Sequence, residues 1–303
     1  MRLALKIDVD TRRGMDEGVP RLLETLGKAG LRGTFFVTMG PDNSGKAAFR
    51  VFRRRGFAKK MVRTNALRMY GLRTALSGTL LPARPVGSGR PDLMRRIVDA
   101  GHEAGVHGWD HVYWHDRILE MEPGPAGAEL RKAAEAFAEA VGRPPDCASA
   151  PGWVVSAGVL EEEERMGIRY AADTRGTVPF LPRSGGRTFK IPQLPTNLPT
   201  LDEMLGRDGV TEESFGARVV ELAERGKGDA VFTLHAEAEG MSFHACFEDL
   251  LRRLAERGIA AVPCGEIADG LVPSALPVHE VEVGEVPGRA GPISVQGAAA
   301  RAL

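Results

Sequence analysis

Paired cysteines, long apolar runs and a recognisable export signal are not to be seen in this sequence. Its three cysteines, Cys147, Cys246 and Cys264, are odd in number and widely spaced. They form no CxxC, which argues against both a disulfide framework and a thiolate metal site. Reduced thiols in a cytoplasmic setting are the default expectation. No stretch approaches the ~18 apolar residues of a spanning helix. The first apolar run is short and leads straight into Asp8 and Asp10, so it does not read as an export signal. Acidic residues are absent from 43–91, although the whole chain balances 40 basic against 40 acidic residues. That stretch carries twelve lysines and arginines, leaving 28 basic against 40 acidic residues elsewhere. A basic insert therefore sits on an acidic body.

What is present is an ordinary globular composition, 43% hydrophobic and 26% charged over 303 residues. Strand and helix patterns alternate along it. Arg2–Val9 alternates as a strand, and Val19, Leu22, Leu23 and Leu26 mark a helix over 17–29 that Gly30 stops. Further strands are expected at 33–38, 102–107, 146–150, 169–172, 230–234 and 259–262, and a short one at 188–191. Helices are expected at 91–100, 126–141, 156–166, 211–225 and 244–257. Ser156 and Thr211 stand at the N-caps of the third and fourth of these. This order predicts a parallel sheet or barrel in one domain. The segment from 277 onward, rich in Gly, Ala and Pro, is expected to be irregular.

Asp8, Asp10, His107, Asp173 and His235 all fall at or just after the C-terminal ends of expected strands, the edge where such folds build their sites. One carboxylate and two imidazoles leave positions open on a divalent cation, which marks a catalytic rather than a structural site. Such a cation makes water more acidic and polarises a carbonyl. A second carboxylate can then serve as base, and a histidine opposite can protonate a leaving amine. Each motif alone has a bland reading. A DxD often serves a turn, HxxxH arises by chance, and His102, His115, His244 and His279 show no partner pattern. The order and placement together give the signal.

Asp8-Val-Asp10, His107-Gly-Trp-Asp-His111 and the late Leu234-His235 resemble the motifs of the polysaccharide deacetylase family (NodB homology, carbohydrate esterase family 4). The resemblance implies a distorted (β/α)7-type barrel over 1–276, which leaves 277–303 as the irregular tail expected from its composition. It implies that Asp8 is the base, that Asp10, His107 and His111 hold the metal, and that His235 is the acid, oriented by Asp173. Zinc is the default ion, with cobalt or manganese also suited to these ligands. Ser149 stands where the family carries an arginine that holds the base, and Arg175 is the candidate to take over. Arg175 is alternatively a phosphate contact, Trp153 a wall of the sugar pocket and Glu237 a contact for the amine.

Residues 18–23, 40–43, 64–66, 70–71, 150–153, 173–176, 191–192 and 235–240 are similar to a narrower branch. Its members deformylate 4-deoxy-4-formamido-L-arabinose carried on undecaprenyl phosphate, in the aminoarabinose pathway of lipid A. That similarity implies a polyprenyl-linked substrate and a peripheral place on the cytoplasmic face of the bacterial inner membrane. The basic insert agrees. Phe49, Phe52, Phe57, Met61, Met69, Leu72, Leu76 and Leu80 recur among its basic residues at helical spacing. The pattern suits an amphipathic helix on an anionic membrane, each cation adding about 1 kcal/mol near the surface. Sparse aromatic platforms argue against nucleic acid. A deacetylase of another N-acylated glycan and a non-catalytic membrane-associated sugar-binding module remain as alternatives.

Overall fold

Strand β1 (Arg2–Val9) has two chemically different faces, and they organise the molecule. In the computed structural model, which describes residues 1–46, 74, 76–226, 228–289 and 291–300, Leu3, Leu5, Ile7 and Val9 enter the large core beneath the helices. Ala4 joins a second, smaller cluster with Phe36, Tyr170 and Val231. Side chains two apart share a strand face, so Lys6 and Asp8 belong with Ala4. All three are buried.

Strands β2 (Thr34–Val37), β3 (Glu103–Val106), β4 (Cys147–Ala148) and β5 (Tyr170–Ala171) extend the sheet on one side of β1. Strand β8 (Ala230–His235) lies on the other. Every pairing is parallel, and β9 (Ala260–Val262) pairs with Arg2–Ala4 of β1. The sheet curls into a half-barrel. Residues 192–198, which carry no strand pattern, bridge its two edges. Ala171 donates to Pro192 and accepts from Leu194, while Leu198 donates to the carbonyl of Val231. Asn197 adds a side-chain bond to the Val231 amide. This segment takes the place expected of a strand at 188–191. Residues 187–188 belong instead to β7 (Arg187–Thr188), in a separate small sheet.

Helices α1 (Val19–Ala29), α2 (Pro91–Asp99), α4 (Pro123–Val141), α5 (Ala157–Met166), α7 (Glu212–Arg225) and α8 (His244–Glu256) match the expected ones within a few residues. Gly30 closes α1 in the left-handed region, at φ 65°. The Thr211 side chain accepts from the Ser214 amide at the start of α7. Short helices α3 (His111–Arg117), α6 (Leu201–Met204) and α9 (Cys264–Ala268) lie between or after them along the chain.

The tail corrects the expectation of an irregular segment. Strands β10 (Val278–Gly284) and β11 (Ile293–Ala299) form an antiparallel hairpin, and β10 pairs in parallel with β6 (Leu181–Ser184). The cause is visible in the alternation of Glu280, Val281, Glu282 and Val283, which the surrounding Gly, Ala and Pro obscure. Ile293 is buried, and the Ser294 carbonyl accepts from the Arg175 amide. The hairpin therefore belongs to the body of the domain.

Of the basic insert, the amphipathic pattern at Phe49, Phe52, Phe57, Met61, Met69 and Leu72 lies outside the described residues. Its returning end is anchored. Arg84 and Arg90 both reach Asp16, which also takes Arg12 at 2.9 Å. Leu80 is exposed.

Candidate active site

Register brings the expected residues together. Asp8 pairs with Phe36 on one side and with His235 on the other. Asp10 follows the end of β1, and His107 follows β3, two strands away. His107 Nε2 lies 3.4 Å from Asp10 Oδ1 and 3.9 Å from Asp8 Oδ2, and His111 Nε2 lies 3.5 Å from Asp10 Oδ2. The ligand atoms of Asp10, His107 and His111 all fall within 4.8 Å of one another.

His107 and His111 do not share a helix. The chain reverses at Gly108, whose φ of 67° is left-handed, and α3 begins only at His111. Asp110 caps that helix by accepting from the amides of Val112 and Tyr113, and Asn43 holds its other oxygen. A Cβ at residue 108 would meet Pro151 Cγ and Trp114 Cε3, each at 2.9 Å. Gly108→Ala is therefore expected to cost about 1–3 kcal/mol of stability and to weaken divalent-ion binding by displacing one histidine against the other. Thermal melts and zinc titration measure the two effects.

The donor set suits a divalent cation. His107 Nδ1 lies 2.8 Å from the Ser149 carbonyl. A carbonyl only accepts, so Nδ1 carries the proton and Nε2 presents its lone pair. Asp10 Oδ1 is buried without a hydrogen-bond partner among the described residues. Burial alone would raise the Asp10 carboxyl, but His111, His107 and His235 outweigh it and hold it down at about 2. Burial pushes His107 down to about 4. His235 goes the other way: burial opposes its protonation, yet Asp10, Asp8, Glu239 and Asp202 prevail and raise it.

Four of the expected residues are engaged with partners that the sequence did not indicate. Asp173 makes no hydrogen bond or ion pair with His235. It is locked to Gln193, whose amide nitrogen donates to Oδ2 at 2.7 Å and whose oxygen accepts the Asp173 amide. The His235 amide is held instead by Glu239, at 2.9 Å. Arg175 neither holds Asp8 nor offers a free fork for phosphate. Its nitrogens are spent on Glu203 and on the carbonyls of Thr196 and Leu198. Trp153 is 2% exposed and packs in the interior, with its indole nitrogen on Thr196 Oγ1. Glu237 is buried as well. One of its oxygens accepts from the Asp10 amide and from the amide and hydroxyl of Thr11, which fixes the turn that carries Asp10. Burial and the Asp10 charge push its carboxyl up to about 8.

Sequence reasoning passed over Lys6. Its ammonium bonds both oxygens of Asp8, at 2.6 and 2.5 Å. The signal was there in the period of a strand, which puts residue 6 beside residue 8 on one face.

Residues 4–171 match the polysaccharide deacetylase family. Over 295 residues the chain is 36% identical to a Shewanella sediminis (strain HAW-EB3) protein named a probable 4-deoxy-4-formamido-L-arabinose-phosphoundecaprenol deformylase ArnD, covering 97% of this chain and 94% of the relative. A protein of the same name from Wigglesworthia glossinidia brevipalpis is 29% identical over 284 residues, covering 93% and 98%. A crystal structure of a Mycobacterium smegmatis protein assigned to the polysaccharide deacetylases shares the fold, with a TM-score of 0.61 at 18% identity and 94% of each chain covered. With a near full-length relative at this identity and a family match over more than half its length, the chain belongs to the polysaccharide deacetylase family and is a hydrolase of the amide carbon–nitrogen bond.

Proposed function

We propose that this protein removes the formyl group from 4-deoxy-4-formamido-L-arabinose carried on undecaprenyl phosphate, releasing formate and the free amine for the aminoarabinose modification of lipid A. The observation that carries the reading is the grouping of Asp8 and His235 around Asp10, His107 and His111 at one sheet edge. The near full-length similarity to proteins named for that deformylation supports the choice of substrate.

Asp10, His107 and His111 would hold a divalent ion, zinc by default, which supplies Lewis acidity for the formamide carbonyl and a more acidic water. Asp8 stands outside that set and is free to take a proton from the attacking water. His235, raised toward its protonated form by Asp10 and Asp8 against the cost of burial, is suited to give a proton to the departing sugar nitrogen. Water adds its oxygen to the formyl carbon, the carbon–nitrogen bond breaks, and formate leaves. Glu237 and Glu239 hold the backbones of Asp10 and His235, fixing the base side against the acid side.

A polyprenyl-linked sugar requires access to a bilayer, and the basic insert at 43–91 is suited to an anionic surface on the cytoplasmic face of the inner membrane. No helix of the described residues is long and apolar enough to cross a membrane. Mass spectrometry of formylated and acetylated aminosugars on short polyprenyl phosphates, before and after incubation with protein and zinc, tests the reading. Loss of the formyl group from the lipid-linked sugar is expected. Preference for an acetylated soluble oligosaccharide would instead make the protein a deacetylase of another glycan.

A further inference from the structure

We infer that Lys6 is the positioning residue of the catalytic base, supplying from within strand β1 the cation that holds Asp8. The inference rests on the role given to Asp8 under Proposed function. Its structural footing is separate. Lys6 is fully buried, and both of its side-chain hydrogen bonds go to the two oxygens of Asp8. The ammonium also lies 5.4 Å from the ring centre of Phe36 and 5.3 Å from that of Trp153. Trp153 is fixed in turn by Thr196. Aromatic faces favour a cation and keep water away from it.

A buried ammonium or carboxylate without a partner is strongly destabilising, whereas a close, doubly hydrogen-bonded pair retains both charges. Two donor contacts also fix the plane of the Asp8 carboxylate. Its orientation is then set by the pleat of β1, since residues 6 and 8 project from one face of the same strand. Ser149, which stands where the family resemblance would place an arginine, makes no hydrogen bond to Asp8. Its hydroxyl donates to the Ala172 carbonyl and its own carbonyl receives His107. The cation beside Asp8 therefore comes from its own strand. This leaves residue 149 free to orient a metal ligand through its backbone. Burial raises the Asp173 carboxyl above its usual range, and the Lys6 charge is among the influences that pull it back down, so a neutral residue at position 6 would be felt by two acids.

The test uses the full chain with Lys6→Met, Lys6→Arg, Asp8→Asn and the double variant Lys6→Met/Asp8→Asn. Hydrolysis of the formylated aminosugar on a short polyprenyl phosphate gives kcat and KM, zinc titration gives ion binding, and thermal melts give stability. Lys6→Met is expected to lower kcat about 10²–10³-fold, with KM and zinc stoichiometry little changed, and Lys6→Arg to recover most of the loss. Each neutralising single variant is expected to melt below the wild type. The double variant should recover much of that loss, because no lone buried charge remains. Wild-type kcat in Lys6→Met, or a double variant that melts as low as the summed effects of the singles, would overturn the inference. A wild type that spares the formylated lipid sinks the substrate reading instead. In that event the melting cycle still decides whether Lys6 and Asp8 act as a pair.

Discussion

Asp8→Asn is expected to reduce formate release about 10³–10⁴-fold while one zinc ion per chain stays bound. The loss corresponds to roughly 4–5.5 kcal/mol of transition-state stabilisation. The division of labour at the site accounts for both halves of the result. Asp10 lies 3.4 and 3.5 Å from the two histidines, whereas Asp8 is 3.9 Å from His107 and bonded to Lys6. Asparagine keeps the shape of the side chain and takes away the group proposed to accept a proton from water. Asp10, His107 and His111, the set proposed to hold the ion, are untouched. A sugar-binding module that merely kept the fold would behave differently: the variant would hold its ligand as the wild type does and show no loss of turnover. Parallel measurement of zinc stoichiometry and formate release separates the two. Unchanged turnover in Asp8→Asn would remove the general base from the mechanism.

The features that could be read in the sequence are those that depend on short spacing. Asp8 and Asp10 are two apart on a strand, His107 and His111 four apart, and both sets lie where a strand pattern stops. The parallel sheet then brings them together without further information, because Asp8 faces His235 in register and Val37 faces Val106 just before His107. The features that were missed depend on partners far away in the chain. Arg175 reads as an unassigned cation until Glu203 is placed against it 28 residues later. Glu237 reads as a substrate contact until the turn at Thr11, 226 residues earlier, is found on its oxygen. Asp173 fits the expected place of an orienting acid, yet Gln193 holds it. The bridge at 192–198 has no periodicity to detect, because backbone bonds to two different strands and one asparagine side chain hold it. The hairpin at the end of the chain fails for another reason. Its alternation is genuine, but composition averaged over the whole segment hides it.

His107→Ala is expected to abolish both zinc binding at micromolar concentration and turnover, and to do so more completely than His111→Ala. Structural zinc sites release about 10–16 kcal/mol on binding, so one ligand of a small set is worth roughly 3 kcal/mol, on the order of 10²–10³ in affinity. The two histidines differ in how firmly they are held. His107 is 1% exposed in its side chain, and its Nδ1–H is committed to the Ser149 carbonyl. His111 is 23% exposed and starts a short helix. Burial holds His107 down at about 4, so the imidazole is neutral through the range from pH 5 to 8. A metal there does not have to displace a proton, and the ring is already turned toward Asp10. Water can enter at position 111 and restore part of a coordination shell. At position 107 alanine opens a buried gap with no fixed donor. Melting with and without zinc gives the measurement, since an ion bound only by the folded state adds about 2.7 kcal/mol at a hundredfold excess over Kd. The wild type should show that rise, His111→Ala a smaller one, and His107→Ala none. An undiminished rise in His107→Ala would place the ion away from Asp10, and with it the chemistry assigned to this sheet edge.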